Sequence, residues 1–130
     1  MKIDNFTRGY IDAALWSSTD DYDEPLDRNY GVSDIADITL AKMVADCKLF
    51  QESNMDALVA YYEAKSYDPS QGTVADYAGH DFWLTRNGHG AGFWDRSEVS
   101  KPIRDLLTEA SKKFKETDLY IGDDGLIYSF

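Results

Sequence analysis

The run Ala78-Gly79-His80-Asp81-Phe82-Trp83-Leu84-Thr85-Arg86-Asn87-Gly88-His89-Gly90-Ala91-Gly92-Phe93-Trp94-Asp95-Arg96 constrains this chain most. It holds both histidines, two of the three tryptophans and four of the nine glycines. Phe82 and Leu84 alternate with Trp83 and Thr85 at strand period, which predicts a strand from about His80 to Arg86. Asn87-Gly88 favours positive φ, and Gly90 and Gly92 relax the return, so Phe93-Trp94-Asp95 reads as the partner strand of a hairpin with rings on both faces.

Elsewhere the pattern is helical. Asp4 or Asn5 can cap a helix that carries Phe6, Tyr10, Ala13 or Ala14 and Leu15 on one stripe to about Ser17. Thr19 to Asp27 lacks an apolar period, contains Pro25 and reads as an exposed acidic loop reaching about Gly31. Val32 to Asp37 reads as a turn or short helix. Leu40, Met43, Val44, Cys47, Phe50, Met55, Leu58 and Tyr61 mark one long amphipathic helix from about Ile38 to Lys65, with a kink or split allowed at Ser53-Asn54. Thr73 to Tyr77 adds a helical turn. Ser97 or Ser100 caps a last helix with Pro102 in its first turn and Ile103, Leu106, Leu107, Ala110 and Phe114 on its stripe. Asp118 to Tyr128 reads as strand, Asp/Gly turn, strand. Two hairpins give a single α+β domain over residues 1–130, a small antiparallel sheet of about four strands covered by about three helices.

The composition narrows the function. Hydrophobic residues make up 43% and charged residues 28%, the balance of a globular domain. Cys47 is the one cysteine, which excludes an intramolecular disulfide and fits a reducing compartment. Met1 to Asn5 lacks a signal core and no segment approaches the ~20 apolar residues of a membrane span, so a cytoplasmic protein is expected. The net charge of −11 opposes direct binding to nucleic acid or anionic lipid. It is concentrated before residue 38, in Asp4, Asp12, Asp20, Asp21, Asp23, Glu24, Asp27, Asp34 and Asp37.

Several groups could carry chemistry. His80, Asp81 and His89, with Asp95, are of the ligand types a metal needs, but their spacing matches no recognised motif; the alternative is local structural hydrogen bonding. Arg86 and Arg96 could grip an anion or instead bridge to Asp81 or Asp95 and stack on Trp83 or Trp94. A pocket lined by Trp83, Arg86, His89, Trp94 and Asp95 would make an enzyme or small-molecule-binding protein, with His80, His89, Arg86 and Asp95 as catalytic candidates. Gly88 to Gly92 lacks the lysine and hydroxyl of a phosphate loop, Asp123-Asp124-Gly125 reads as a turn, and Cys47 lies on an apolar stripe. Asp20, Asp21, Asp23, Glu24 and Asp27 either solvate a loop or imitate DNA phosphates toward a protein partner.

The Ala78 to Arg96 run, with Asp118-Leu119-Tyr120-Ile121-Gly122-Asp123-Asp124-Gly125 after it, resembles a family of small proteins encoded by bacteriophages, plasmids and bacterial genomes. The resemblance implies a mobile-element origin and carries over no catalytic residue. Together with the acidity and the lack of a complete catalytic constellation, it favours a non-enzymatic accessory protein. Such a protein would bind and inhibit a host nucleic-acid-processing or defence protein, as an anti-CRISPR or anti-restriction factor does, without a cofactor, in the bacterial cytoplasm. The alternative is the small enzyme or small-molecule or metal-binding protein built on His80 to Arg96.

Overall fold

The computed structural model describes residues 3–130; Met1 and Lys2, which open the stretch read as lacking a signal core, lie outside them. Five α-helices and one two-stranded sheet make up the regular structure of the described residues, joined by short 3-10 turns. In chain order they are α1 (Asn5–Ser17), α2 (Asp37–Ser53), α3 (Met55–Ala64), α4 (Val74–Arg86), α5 (Lys101–Lys112), β1 (Leu119–Ile121) and β2 (Ile127–Ser129). This corrects the expected α+β architecture of about four strands covered by about three helices: the hairpin expected over His80 to Asp95 does not form, only the one between Asp118 and Tyr128 is present among the described residues, and the fold is mainly helical.

The segment read as a hairpin is α4 and its return. Thr73 and Asp76 start the helix reciprocally, the Asp76 amide donating to Thr73 Oγ1 at 3.2 Å and the Thr73 amide to Asp76 Oδ2 at 2.8 Å. Asn87 ends it by donating its side-chain amide to the Trp83 carbonyl at 3.0 Å, and Gly88 follows at φ +68°. Asn-Gly thus serves as a helix stop rather than a hairpin turn. Gly92, at φ +155°, turns the chain back so that the Phe93 amide reaches Thr85 Oγ1 at 3.0 Å, and Phe93–Asp95 forms a 3-10 turn.

Burial explains the misleading period. Ala78, Gly79 and the run from Asp81 to Arg86 are all buried, so the second half of α4 is covered on every side and shows no exposed polar face by which helical spacing could be recognised. Its centre is a stack of rings. Phe82 lies 4.2 Å from Phe50 of α2, and Phe6, Tyr10 and Phe114 close around it.

The other helices follow their sequence signals closely. The Asp4 carboxylate accepts from the Thr7 amide at 2.8 Å and starts α1, whose buried face includes Phe6, Tyr10, Ile11, Ala14 and Leu15. Asn54, with its side-chain amide on the Phe50 carbonyl, divides the expected long helix into α2 and α3; Met43, Cys47, Phe50, Leu58 and Tyr61 point inward and Met55 does not. Pro102 sits in the first turn of α5, whose Leu107 is buried.

β1 and β2 pair antiparallel, Leu119 opposite Ser129 and Ile121 opposite Ile127, across the turn at Gly122 to Gly125. Ile127 is buried and its carbonyl accepts from the Ala36 amide at 2.9 Å, which ties the hairpin to the start of α2. No helix of the described residues is long and apolar enough to cross a membrane.

Candidate functional site

The geometry begins where α1 crosses α4 without side chains between them. A Cβ on Gly9 would lie 2.0 Å from the Asp76 carbonyl oxygen, and one on Gly79 would lie 1.8 Å from that of Phe6. The helices touch backbone to backbone, and beside this crossing opens a cleft of about 390 Å³. Arg8, Asp12, Lys65, Gln71, Asp76, Tyr77, His80 and Arg96 line it, with Gly9 and Gly72.

Each cation of the cleft is oriented by an acid. Arg8 donates Nε and Nη2 to the two Asp76 oxygens at 3.0 and 2.9 Å. Arg96 forks onto buried Asp81 through Nε at 3.1 Å and Nη2 at 2.5 Å, while the Tyr61 hydroxyl donates to the same carboxylate at 2.7 Å. Lys65 Nζ lies 3.1 Å from Glu98 Oε2 and 4.8 Å above the Tyr77 ring. The fork on Asp81 raises the Arg96 pKa against the opposing effect of burial. Burial alone would raise the Asp76 pKa, but the hydrogen bonds from Arg8 and Thr73 outweigh it and hold the group below its ordinary value.

Asp12 and His80 differ from these, since neither makes a side-chain hydrogen bond or ion pair. Desolvation at the cleft wall pushes the Asp12 carboxyl up, with Arg8 opposing and the charges of Asp76 and Asp27 assisting. Burial pushes the half-buried His80 imidazole down against the pull of Asp81 and Asp12, which favours the neutral ring. Trp16, exposed beside the cleft, packs its ring 5.7 Å from that of His80.

The structure separates the other residues nominated from the sequence. Arg86 is buried at the end of α4, where it donates to Asp46 Oδ2 at 2.9 Å, the Tyr10 hydroxyl at 3.1 Å and the carbonyls of Lys115 and Phe114 at 2.8 and 2.7 Å. It has no free donor edge for a ligand. Trp83 is a core residue donating to Ser17 Oγ at 2.7 Å, whereas His89, Trp94 and Asp95 are exposed. The pocket expected from Trp83, Arg86, His89, Trp94 and Asp95 is therefore not assembled. Among the described residues no three His, Cys, Asp or Glu side chains are placed to hold a metal ion, so His80, Asp81 and His89 do not form a centre. Cys47 is buried, and burial pushes its thiol pKa up.

The acidic loop has internal order. Asp20 Oδ1 accepts from the amides of Tyr22 and Glu24 at 2.8 and 3.0 Å, and Glu24 receives Arg28 and Asn29. Asp21, Asp23 and Asp27 are exposed and make no side-chain hydrogen bond, and Asp27 lies near enough to Asp12 to raise its pKa. Asp23 holds the turn at φ +60°.

No family model, curated protein or solved structure matches this chain. The chemistry is accordingly read from the side chains alone. Arg8 and Lys65 were not among the residues nominated from sequence, and Asp12 stood there only among the acids of the N-terminal part; the Arg8-x-x-x-Asp12 spacing on one face of α1 was the signal that links the two.

Proposed function

We propose that this chain is a non-enzymatic accessory protein that acts by binding another protein, presenting the Asp20 to Asp27 loop to a basic surface that otherwise receives nucleic acid. The partner class is a host nucleic-acid-processing or defence protein, inhibited by occupation of that surface. The observation carrying the reading is the division of labour within the loop. Asp20 and Glu24 fix its shape through their own hydrogen bonds, leaving Asp21, Asp23 and Asp27 projecting as charges without internal partners. A loop held in one conformation loses less entropy on binding than a mobile one.

Two further features support it. The basic and acidic groups of the Ala78 to Arg96 run are largely consumed inside the protein, Arg86 on Asp46 and Arg96 on Asp81, so that run acts as framework. The net charge of −11 opposes nucleic acid as a direct ligand and accelerates encounter with a basic protein. The resemblance to phage and plasmid proteins supplies the mobile-element context.

The test is competition. Immobilised protein is exposed to a bacterial lysate, and retained proteins are challenged with duplex DNA and with salt, in parallel with the variant Asp21→Asn/Asp23→Asn/Asp27→Asn, which spares Asp20 and Glu24. Retention of a nucleic-acid-handling protein that DNA displaces and the variant loses is expected. Equal retention by the variant, at unchanged thermal stability, refutes the role of the loop.

A further inference from the structure

The cleft beside the α1/α4 crossing has features that the acidic-loop reading does not use. Three cations line it, and each has a carboxylate already assigned: Asp76 behind Arg8, Asp81 behind Arg96, Glu98 beside Lys65. Both arginines use Nε and Nη2 for that pairing, so none of their hydrogen bonds employs Nη1. A guanidinium fixed from behind presents its remaining edge with little further loss of rotamer freedom. Asp12 is the one lining carboxylate left without a hydrogen bond or ion pair, and the imidazole of His80 is likewise without a partner.

This charge pattern discriminates among ligands. A simple anion would meet the unpaired Asp12, and a simple cation would meet three positive groups. A molecule carrying both signs satisfies both sets. The walls add a second requirement. Tyr77 and His80, three residues apart on α4, present their rings along one wall, the first beside Tyr67 at 6.3 Å and the second beside Trp16 at 5.7 Å. These surfaces suit an apolar or planar group, and the cleft volume lies within the range of small-ligand sites.

We propose that this cleft binds a free α-amino acid as its zwitterion. The carboxylate takes the Nη1 edges of Arg8 and Arg96, the ammonium takes Asp12, and an apolar or aromatic side chain lies along the Tyr77 and His80 wall. Gly72 helps to keep the space open: its φ of +132° disfavours any side chain, and a Cβ there would come within 3.1 Å of the Asp76 carboxylate. The proposal is independent of the partner reading, since it involves none of Asp21, Asp23 or Asp27.

The experiment is a titration of the full chain with each of the twenty standard L-amino acids, read by amide chemical shifts of Gly9, Gly72 and Tyr77 and by calorimetry. Acetate plus methylamine, which supply the two charged groups unlinked, form the comparison. Saturable shifts at those amides with a Kd below about 1 mM are expected for at least one amino acid and not for the mixture. Asp12→Asn should weaken that binding roughly tenfold or more, the scale of a lost charge-assisted hydrogen bond, while melting no lower than the parent, because Asp12 has no internal partner and its desolvated charge is removed. Asp123→Asn, in the distant hairpin turn, should bind as the parent does. Absence of binding by all twenty, undiminished binding by Asp12→Asn, or acetate alone binding as tightly as the best amino acid overturns the proposal.

Discussion

Replacing Gly79 with alanine places a methyl carbon 1.8 Å from the Phe6 carbonyl oxygen and 2.8 Å from the Tyr10 amide nitrogen. Both are backbone atoms of α1, so no rotamer change relieves the overlap. Ordinary contact begins near 3.4 Å, and α1 and α4 would have to part by about 1.6 Å to reach it. That separation also loosens Phe6 and Tyr10 against Phe82, and Tyr10 against Trp83, because gaps of even ~1 Å forfeit much of the dispersion attraction. The cost falls at or above the upper end of overpacking, about 3–4 kcal/mol, and the better helix propensity of alanine returns about 1 kcal/mol. A net loss of about 2–3 kcal/mol is expected, measured as a lower urea midpoint with unchanged slope. Gly90→Ala is the control: nothing lies within 4 Å of its Cβ position, and a change within about 0.5 kcal/mol is expected. Gly9→Ala should also destabilise, and the double variant should lose less than the sum, because helices already parted leave room for the second methyl. A Gly79→Ala protein as stable as the parent would show that the crossing is not a backbone contact.

Four other outcomes follow from the geometry. Arg86→Met removes four donor contacts and leaves Asp46 without its cation, and chemical denaturation should show a loss of about 3 kcal/mol, at the lower end for buried pairs because Asp46 is 23% exposed. Tyr61→Phe deletes the hydroxyl that donates to buried Asp81 and should cost about 1.5–3 kcal/mol in the same assay. Burial holds His80 below its ordinary 6.5 in the folded state, so the unfolded chain binds the proton first; its contribution is full above that pH and is lost as the pH falls through it. Urea midpoints of the parent should therefore drop between about pH 7.5 and 5.5 more than those of His80→Gln. Cys47, buried with a raised pKa, should resist thiol reagents until urea unfolds the chain, which colorimetric labelling reports.

The elements with one buried face were legible in the sequence. α1 ends at Ser17, Asn54 divides the second helical stretch, Pro102 opens α5, and the Asp/Gly turn joins β1 to β2. α4 was not, because its second half, from Asp81 to Arg86, is enclosed on all sides and carries no solvent-facing stripe, and the alternation of Phe82, Trp83, Leu84 and Thr85 imitates a strand. The counter-signal was present: Thr73-x-x-Asp76 is a capping box, and Asn87-Gly88 terminates a helix as readily as it turns a hairpin. The cleft was half legible. His80 and Arg96 stood out by residue type, but Arg8, Asp12 and Lys65 reach them only through the α1/α4 crossing and the loop after α3. Arg86 and His89 are close in sequence yet end in opposite environments, one enclosed by Tyr10, Asp46 and two carbonyls, the other in solvent.

The glycine crossing has a bearing on how such a protein can diverge. Where two main chains abut, the spacing between helices is set by atoms common to every residue, and exchange of neighbouring side chains cannot widen or narrow it. Arg8, Asp12, Tyr77 and His80 project beside that fixed joint. Their identities could be exchanged to retune what the recess accepts while its dimensions persist, so long as positions 9 and 79 remain bare.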